Sequence, residues 1–294
     1  MASSTSIYTE HWLKNQVQEK IASANNFLQY SKDHTPFVNN TRVHIPQAAS
    51  PSSISVDNSS FPLSVNTRSD SDNYYDIHKF SSDAMQVEDM EAVELSYDLK
   101  DSILSQDINE IRDIINDYML YYWAEDAASG SSLVETSSIT FNDMLSLAEK
   151  FDEDNISRMG RKFIVNPSMA HSLYKIDRFE KTNDLNNNIS IDGYVGRLAG
   201  FDIFVRDTVL EASGSTGSSA LTIIPPSVAT GVTEYDVGLA WHPDYVSRAF
   251  GDVKLFMTDN HPLYQGTLLS FAVRAGGNKM RSDGKGVYGL VDIS

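Results

Sequence analysis

The sequence predicts an α+β fold in two unlike halves, and three observations carry that prediction. One long amphipathic stretch, about Asp98 to Trp123, runs without Pro or Gly. Ahead of it lies a polar, extended segment over 48–83, with short alternating apolar runs. Behind it, short β-type runs, turn residues and brief helical patterns follow one another, which is a mixed α and β layout.

In the long stretch, Leu104, Ile108, Ile111, Ile115, Tyr118 and Tyr122 recur in steps of four and three, on one helical face. Asp107 followed by Glu110 resembles a capping box and predicts a regular start near Asp107. Asp107, Glu110, Arg112, Asp113 and Asp117 form the opposite face, expected to be solvated. At about 1.5 Å per residue, such a helix reaches across an ordinary domain.

Before it, Ile7 to Tyr30 is a second helical candidate, with Trp12, Leu13, Val17, Ile21, Ala24 and Leu28 at helical spacing. It runs into the extended DHTPFVNNTRVHIPQ. Two readings stand: an arm leaving the body, or a terminal helix docked on its own core. Next, Ile54 and Val56, then Phe61, Leu63 and Val65, alternate on either side of a polar Asp57–Ser60 connection, which is a hairpin pattern. Such a long polar excursion is either disordered or packs on another chain, and the alternating apolar residues favour packing. Tyr74, Tyr75, Ile77 and Phe80 then lead into the strand-like MQVEDMEAVELSYD.

After the long helix, SGSSLVETSS reads as a flexible connection. Thr140 with Asp143 opens a short helix by a capping box, with Phe141, Met144, Leu145, Ala148 and Phe151 as its face. Phe163 to Val165 is a buried strand, and Asn166–Pro167 caps and starts a helix. Tyr194–Leu198 and Phe201–Val205 are strands joined by Ala199–Gly200. SGSTGSSA is a flexible loop. A strand near Asp236–Trp241, a Pro-started helix at PDYVSRAF, and strands at Val253–Met257, Thr267–Val273 and Val287–Asp292 complete the chain. The last two flank GGNKMRSDGKG, read as a Gly-rich basic turn.

The chain has 294 residues, 41% of them hydrophobic, enough for one large domain or two ordinary ones. A net charge of -17 argues against nucleic-acid binding by the chain as a whole, because phosphates are repelled. With no cysteine, neither a disulfide framework nor a thiolate metal site is available. The N-terminal residues lack the basic and apolar regions of a signal peptide, and no apolar run approaches a membrane span.

The order of these parts resembles the major capsid proteins of tailed bacteriophages, of the Hong Kong 97 fold. VHIPQ (Val43–Gln47) looks like the exit of the N-terminal arm, and Ala48 to Val93 occupies the place of the extended E-loop. ELSYDLKDSIL, running on to INDYMLYYWA, is similar to the spine helix and its entry. GRKFIVNPSMAHSLYK looks like the step into the axial domain, and GYVGRLAGFDIFVRD like its Gly-bounded strand pair. LAWHPDYVSRAFGDVKLF and QGTLLSFAVRAGGNKMRSDGKGVYGLVDI complete the resemblance over nearly the whole chain.

That resemblance implies an arm over 1–47, an E-loop with flanking strands over 48–93, a peripheral domain over 94–160, and an axial domain over 161–294 that returns to the peripheral sheet. It implies a non-enzymatic subunit, with no cofactor, that assembles with itself as hexamers and pentamers into an icosahedral phage head around double-stranded DNA. The host cytoplasm would be the place of assembly and the virion the destination. The chain starts at the arm, without a built-in scaffold segment, so a separate scaffolding protein is expected, besides a portal and room for decoration proteins. DNA would be enclosed without sequence-specific binding, the acidic charge keeping it from adhering if the acids face inward, and no membrane is involved. The alternatives are an encapsulin-like compartment shell and, from another class, a soluble α/β enzyme with the hairpin as a lid.

Motifs of reactive chemistry give little support to the enzyme. His242–Pro243–Asp244 with His261 could be parts of a metal site, but no His pair has helical ligand spacing. GGNKMRSDGKG lacks the phosphate-loop pattern, and SGSTGSS lacks the nucleophile elbow. Glu88–Asp89 and Asp152–Glu153–Asp154 read as surface charge. Some capsid proteins of this fold cross-link a Lys to an Asn between subunits; Lys79 lies in the hairpin region, without an identifiable Asn or catalytic Glu partner. No catalytic, cofactor or metal residue is therefore assigned.

Overall fold

The computed structural model describes residues 27–47, 54, 56–57, 70–88, 99–124, 133–176, 180–181, 194–214, 221–226, 228, 234–261, 263, 266–281 and 283–293. Of the helical candidate Ile7–Tyr30 only Phe27–Tyr30 is described, as a 3-10 turn; its 7–26 part, most of the hairpin pattern at 54–65, and the loops at 183–188 and 215–220 lie outside the described residues.

In chain order the main elements are β1 (Lys32–Asp33), β2 (Arg42–Gln47), β3 (Ser71–Asp76), β4 (His78–Ser81), β5 (Met85–Glu88), helix α1 (Leu99–Ala124), β6 (Leu133–Thr136), α2 (Phe141–Glu153), β7 (Lys162–Val165) and α3 (Pro167–Tyr174). They continue with β8 (Glu180–Lys181), β9 (Tyr194–Leu198), β10 (Phe201–Val205), β11 (Leu210–Ser213), β12 (Thr222–Ile223), β13 (Glu234–Trp241), β14 (Val246–His261), β15 (Gly266–Lys279) and β16 (Val287–Asp292).

Helix α1 has 26 residues and so spans about 39 Å. It starts at Leu99, two turns before the expected cap, so Asp107 is an interior residue rather than a cap. Ile108, Ile111 and Ile115 are buried as the periodicity requires. Beyond them the buried surface widens to Met119, Leu120, Trp123 and Ala124, because two sheets meet this end of the helix. Tyr118 and Tyr122 flank that core instead, Tyr118 edge-on to Phe80 and Tyr122 stacked on His78. Asp117 leaves the solvated face that its position predicts: it is largely buried and ion-paired with Arg206, just after β10.

The first sheet has five strands in the order β1-β14-β15-β4, with β5 also on β15. Its backbone is the long antiparallel ribbon of β14 and β15. The Pro-started helix expected at PDYVSRAF is not formed. Pro243–Tyr245 makes only a 3-10 turn, and Val246 onward is strand. Pro243 suits a helical first turn, but β14 gains a full ladder of partners on β15, which local propensity cannot match. The Gly-rich turn is also shorter than expected. Gly276 and Gly277 sit within β15, where a Cβ on Gly277 would lie 2.6 Å from the Ser247 carbonyl oxygen and 2.9 Å from Met119 Sδ. These glycines let the strand approach α1 and its neighbours closely.

The second sheet has nine strands, with β12-β11-β13-β7-β10-β9-β8 along its path and β16 lying between β13 and β6. One edge of β13 is shared: β11 pairs with its first half and β7 with its second. The supposed connection SGSSLVETSS thus contains strand β6, held parallel to β16. Ala199 and Gly200 both have positive φ, 50° and 88°, as a two-residue hairpin of matching twist requires.

Each face of this sheet is covered. Ile164, Phe204, Leu239 and Trp241 pack toward α1, while Phe163, Val165, Ile203 and Leu290 pack toward α2 and α3. Thr140 and Asp143 make the expected capping box, and the Asn166 side chain accepts from the Met169 amide at 2.9 Å. On α2 the buried row is Met144, Leu147 and Phe151; Leu145 points outward.

Candidate assembly surface

The chain before β1 is rooted in the core. Phe27 packs edge-on against both Trp123 and Trp241, and the Trp241 indole donates to the Tyr30 carbonyl at 2.9 Å. Leu28 is buried, and its carbonyl accepts from the Arg248 guanidinium.

The ribbon of β2 and β3 is rooted as firmly. Val43, Ile45, Tyr75 and Ile77 form a small cluster over Ala249 of β14. On its other side Arg42 holds Asp76 at 2.8 Å and lies 4.1 Å over the Tyr74 ring. Gln47 is paired directly with Ser71, so the excursion between them leaves and re-enters the body at one point. Within that excursion Ile54 is 92% exposed and Val56 87% exposed. Phe256, Met257 and Leu263 are further exposed apolar residues, near the far end of the β14–β15 ribbon. Their own chain gives these groups little shelter.

Two charged surfaces stand out among the described residues. Glu211 faces Asp236 across β11 and β13, and Asp236 faces Asp292 across β13 and β16. Burial first, then Glu234 and Asp236, push the Glu211 carboxyl above its ordinary value. On the five-stranded sheet, the face turned away from α1 carries Lys79, Lys254 and Arg274, beside a groove of about 690 Å³. Lys79 is thus placed directly opposite Arg274, which the sequence did not single out. The signal available was weak: each cation occupies an outward position in an alternating strand.

The residues considered for chemistry have other employment. The buried His242 ring accepts from the Asp244 amide through Nδ1, while Nε2 lies 3.1 Å from the Met159 carbonyl oxygen. Among the described residues, no group of three or more His, Asp and Glu is placed to hold a metal ion. Asp152 and Asp154 are not plain surface charges. Asp152 binds Arg158 and the buried Arg161, each at 2.7 Å. Arg161 also donates to the carbonyls of Ile156, Ser157 and Ala148. Asp154 accepts from the Tyr288 hydroxyl and pairs with Lys285 at 2.9 Å, so the basic turn meets an acid of its own chain.

No protein-family model matches the chain, and no curated protein does. Solved structures do. The chain is similar to the capsid structure of the cyanophage P-SCSP1u, at 18% identity and a TM-score of 0.64, over 90% of this chain and 87% of that one. The chain has the Hong Kong 97-type capsid fold. The capsid of Ralstonia phage GP4 matches at 10% identity and a TM-score of 0.66, over 92% of this chain and 88% of that one. A structure from Mycobacterium phage Che8 matches at 16% identity and 0.61, over 90% of each chain. The Hong Kong 97-type fold thus extends over both sheets and α1, not over one half alone.

Proposed function

We propose that this chain is a major capsid protein, a structural and non-enzymatic subunit that assembles with itself into the icosahedral head of a tailed phage. The observation that carries the reading is agreement along most of both chains with phage capsid structures, 92% of this chain and 88% of that one for the capsid of Ralstonia phage GP4. The exposed Ile54 and Val56 support it, because a polar excursion rooted at one paired site and carrying exposed apolar side chains is suited to bury those groups on neighbouring copies. Hexamers and pentamers, double-stranded DNA inside, a separate scaffolding protein, a portal and decoration proteins belong to this proposal, as do assembly in the host cytoplasm and residence in the virion. So does the division into arm (1–47), E-loop (48–93), peripheral domain (94–160) and axial domain (161–294).

Negative-stain electron microscopy of the expressed chain tests the reading. Shells or rings of subunits are expected, and nuclease-protected DNA inside native particles distinguishes a phage head from a cargo compartment. A stable monomer at every concentration, with or without a scaffolding partner, would end the proposal.

A further inference from the structure

Most of the described cations are already engaged. Every described arginine except Arg274 has a carboxylate within ion-pair distance. Arg274 has none among the described residues, and neither do Lys79 and Lys254. The three meet on one surface. Arg274 stands across from Lys79 on β4, and Lys254 stands across from Ala272, the preceding position on the same face of β15. Phe271, Val273 and Ala275, on the opposite face of β15, point into the core beneath α1, so the cations point away from it.

Like charges directly across a ladder destabilise the sheet that carries them. The local backbone nevertheless accommodates this arrangement. A bulge interrupts the ladder between Phe250 and Val253, and within it a Cβ on Gly251 would lie 2.7 Å from Arg274 Cβ. The absent side chain leaves room for Arg274 to emerge beside the groove. Phe256, 53% exposed, lies along the same groove. The surface therefore combines three cations outside any ion pair with an exposed aromatic ring and one acid, Asp252, on a sheet face that the β2–β3 ribbon covers only around Ala249 and that Thr35, Val38 and Asn40 border.

Copies of a chain with a net charge of -17 repel one another, so a contact between them needs a local excess of positive charge on one side. We propose that this sheet face docks an acidic surface of a second copy of the chain, with Lys79, Lys254 and Arg274 as its ionic contacts. The proposal rests on the shell reading above and names one of the surfaces through which the shell is joined. Charge complementarity favours a second copy, since most of the chain's exterior has the sign this face would bind. The contact is heterologous: a cationic face on one subunit meets a differently built, acidic face on the next, as rings and closed shells require.

The test compares the full chain with the triple variants Lys79→Glu/Lys254→Glu/Arg274→Glu and Lys79→Gln/Lys254→Gln/Arg274→Gln. Sedimentation and negative-stain microscopy give the protein concentration at which half the subunits are assembled, across a sodium chloride series. The Glu variant should raise that concentration by about tenfold or more, with the Gln variant between, while the subunit's melting temperature is unchanged. The gap between the wild-type chain and the Glu variant is expected to narrow as salt rises, because salt screens the local pairing that separates them. Equal assembly by wild type and the Glu variant overturns this inference and leaves the shell reading standing. So does unchanged assembly accompanied by lost retention of a duplex DNA probe, which would assign the face to nucleic acid. A wild-type chain that never assembles overturns both. Should the Glu variant misfold, the milder Gln variant carries the comparison, and equal assembly by it and the wild type overturns the inference.

Discussion

Replacing Gly277 by Ala should destabilise the subunit through steric conflict, not through backbone conformation. The added Cβ would meet the Ser247 carbonyl oxygen at 2.6 Å, Met119 Sδ at 2.9 Å and Trp123 Nε1 at 3.1 Å. Met119 can yield, because its side chain is flexible. The Ser247 carbonyl cannot easily do so, because it belongs to β14 and accepts from the Trp123 indole at 2.9 Å. Overpacking at a tight site costs roughly 1–3 kcal/mol. Weakening the indole bond adds about 1 kcal/mol. The expected loss is thus about 2–4 kcal/mol. Gly160→Ala is the control: Gly160 has a φ of 86° and nothing within 4 Å of an added Cβ, so only the conformational cost remains. That cost is about 1–2 kcal/mol. Urea denaturation of unassembled subunits, followed by Trp fluorescence, measures both. If Gly277→Ala lost no more stability than Gly160→Ala, the close packing of β15 beneath α1 would be refuted.

Phe27→Ala removes a ring lodged between Trp123 and Trp241, and should cost about 3–5 kcal/mol in subunit denaturation while shifting Trp emission. Asn166→Ala deletes the acceptor for the Met169 amide, and a loss of about 1 kcal/mol in the same assay is expected. Hydrogen bonds from Arg158 and Arg161 hold the Asp152 carboxyl below its ordinary 3.8. Its contribution is therefore present above that value and fades as pH falls through the lower folded value. Melting temperature against pH should accordingly fall less steeply below about pH 4 in Asp152→Asn than in the wild type; parallel curves would contradict it.

What the sequence conveyed depended on the range of the interaction. Thr140, Asp143, Asn166, Pro167, Ala199 and Gly200 act within a few residues, and their caps and turn could be read directly. The long helix was legible from its isoleucines, but not the widening of its buried surface, which depends on two sheets arriving from distant segments. The start of strand β14 is not legible in the sequence, because Pro243 is a true local signal that governs only three residues, whereas the register with β15 governs the rest. Glycines 276 and 277 looked like a turn, since composition alone does not distinguish a bend from a close approach. The buried employment of Asp152, and the meeting of Lys79 with Arg274, are products of tertiary placement with no local signature.

Strand β16 has a consequence for timing. Among the described strands it alone bridges β6 and β13, and its residues leave the ribosome after those of every other described strand. Until they do, β13 keeps one edge open and Val237, Leu239 and Ala240 lack a neighbouring strand on that side. A nascent chain therefore carries an unfinished sheet until β16 is made, after every other described strand. That order delays the mature outline of the sheet until β16 itself has emerged.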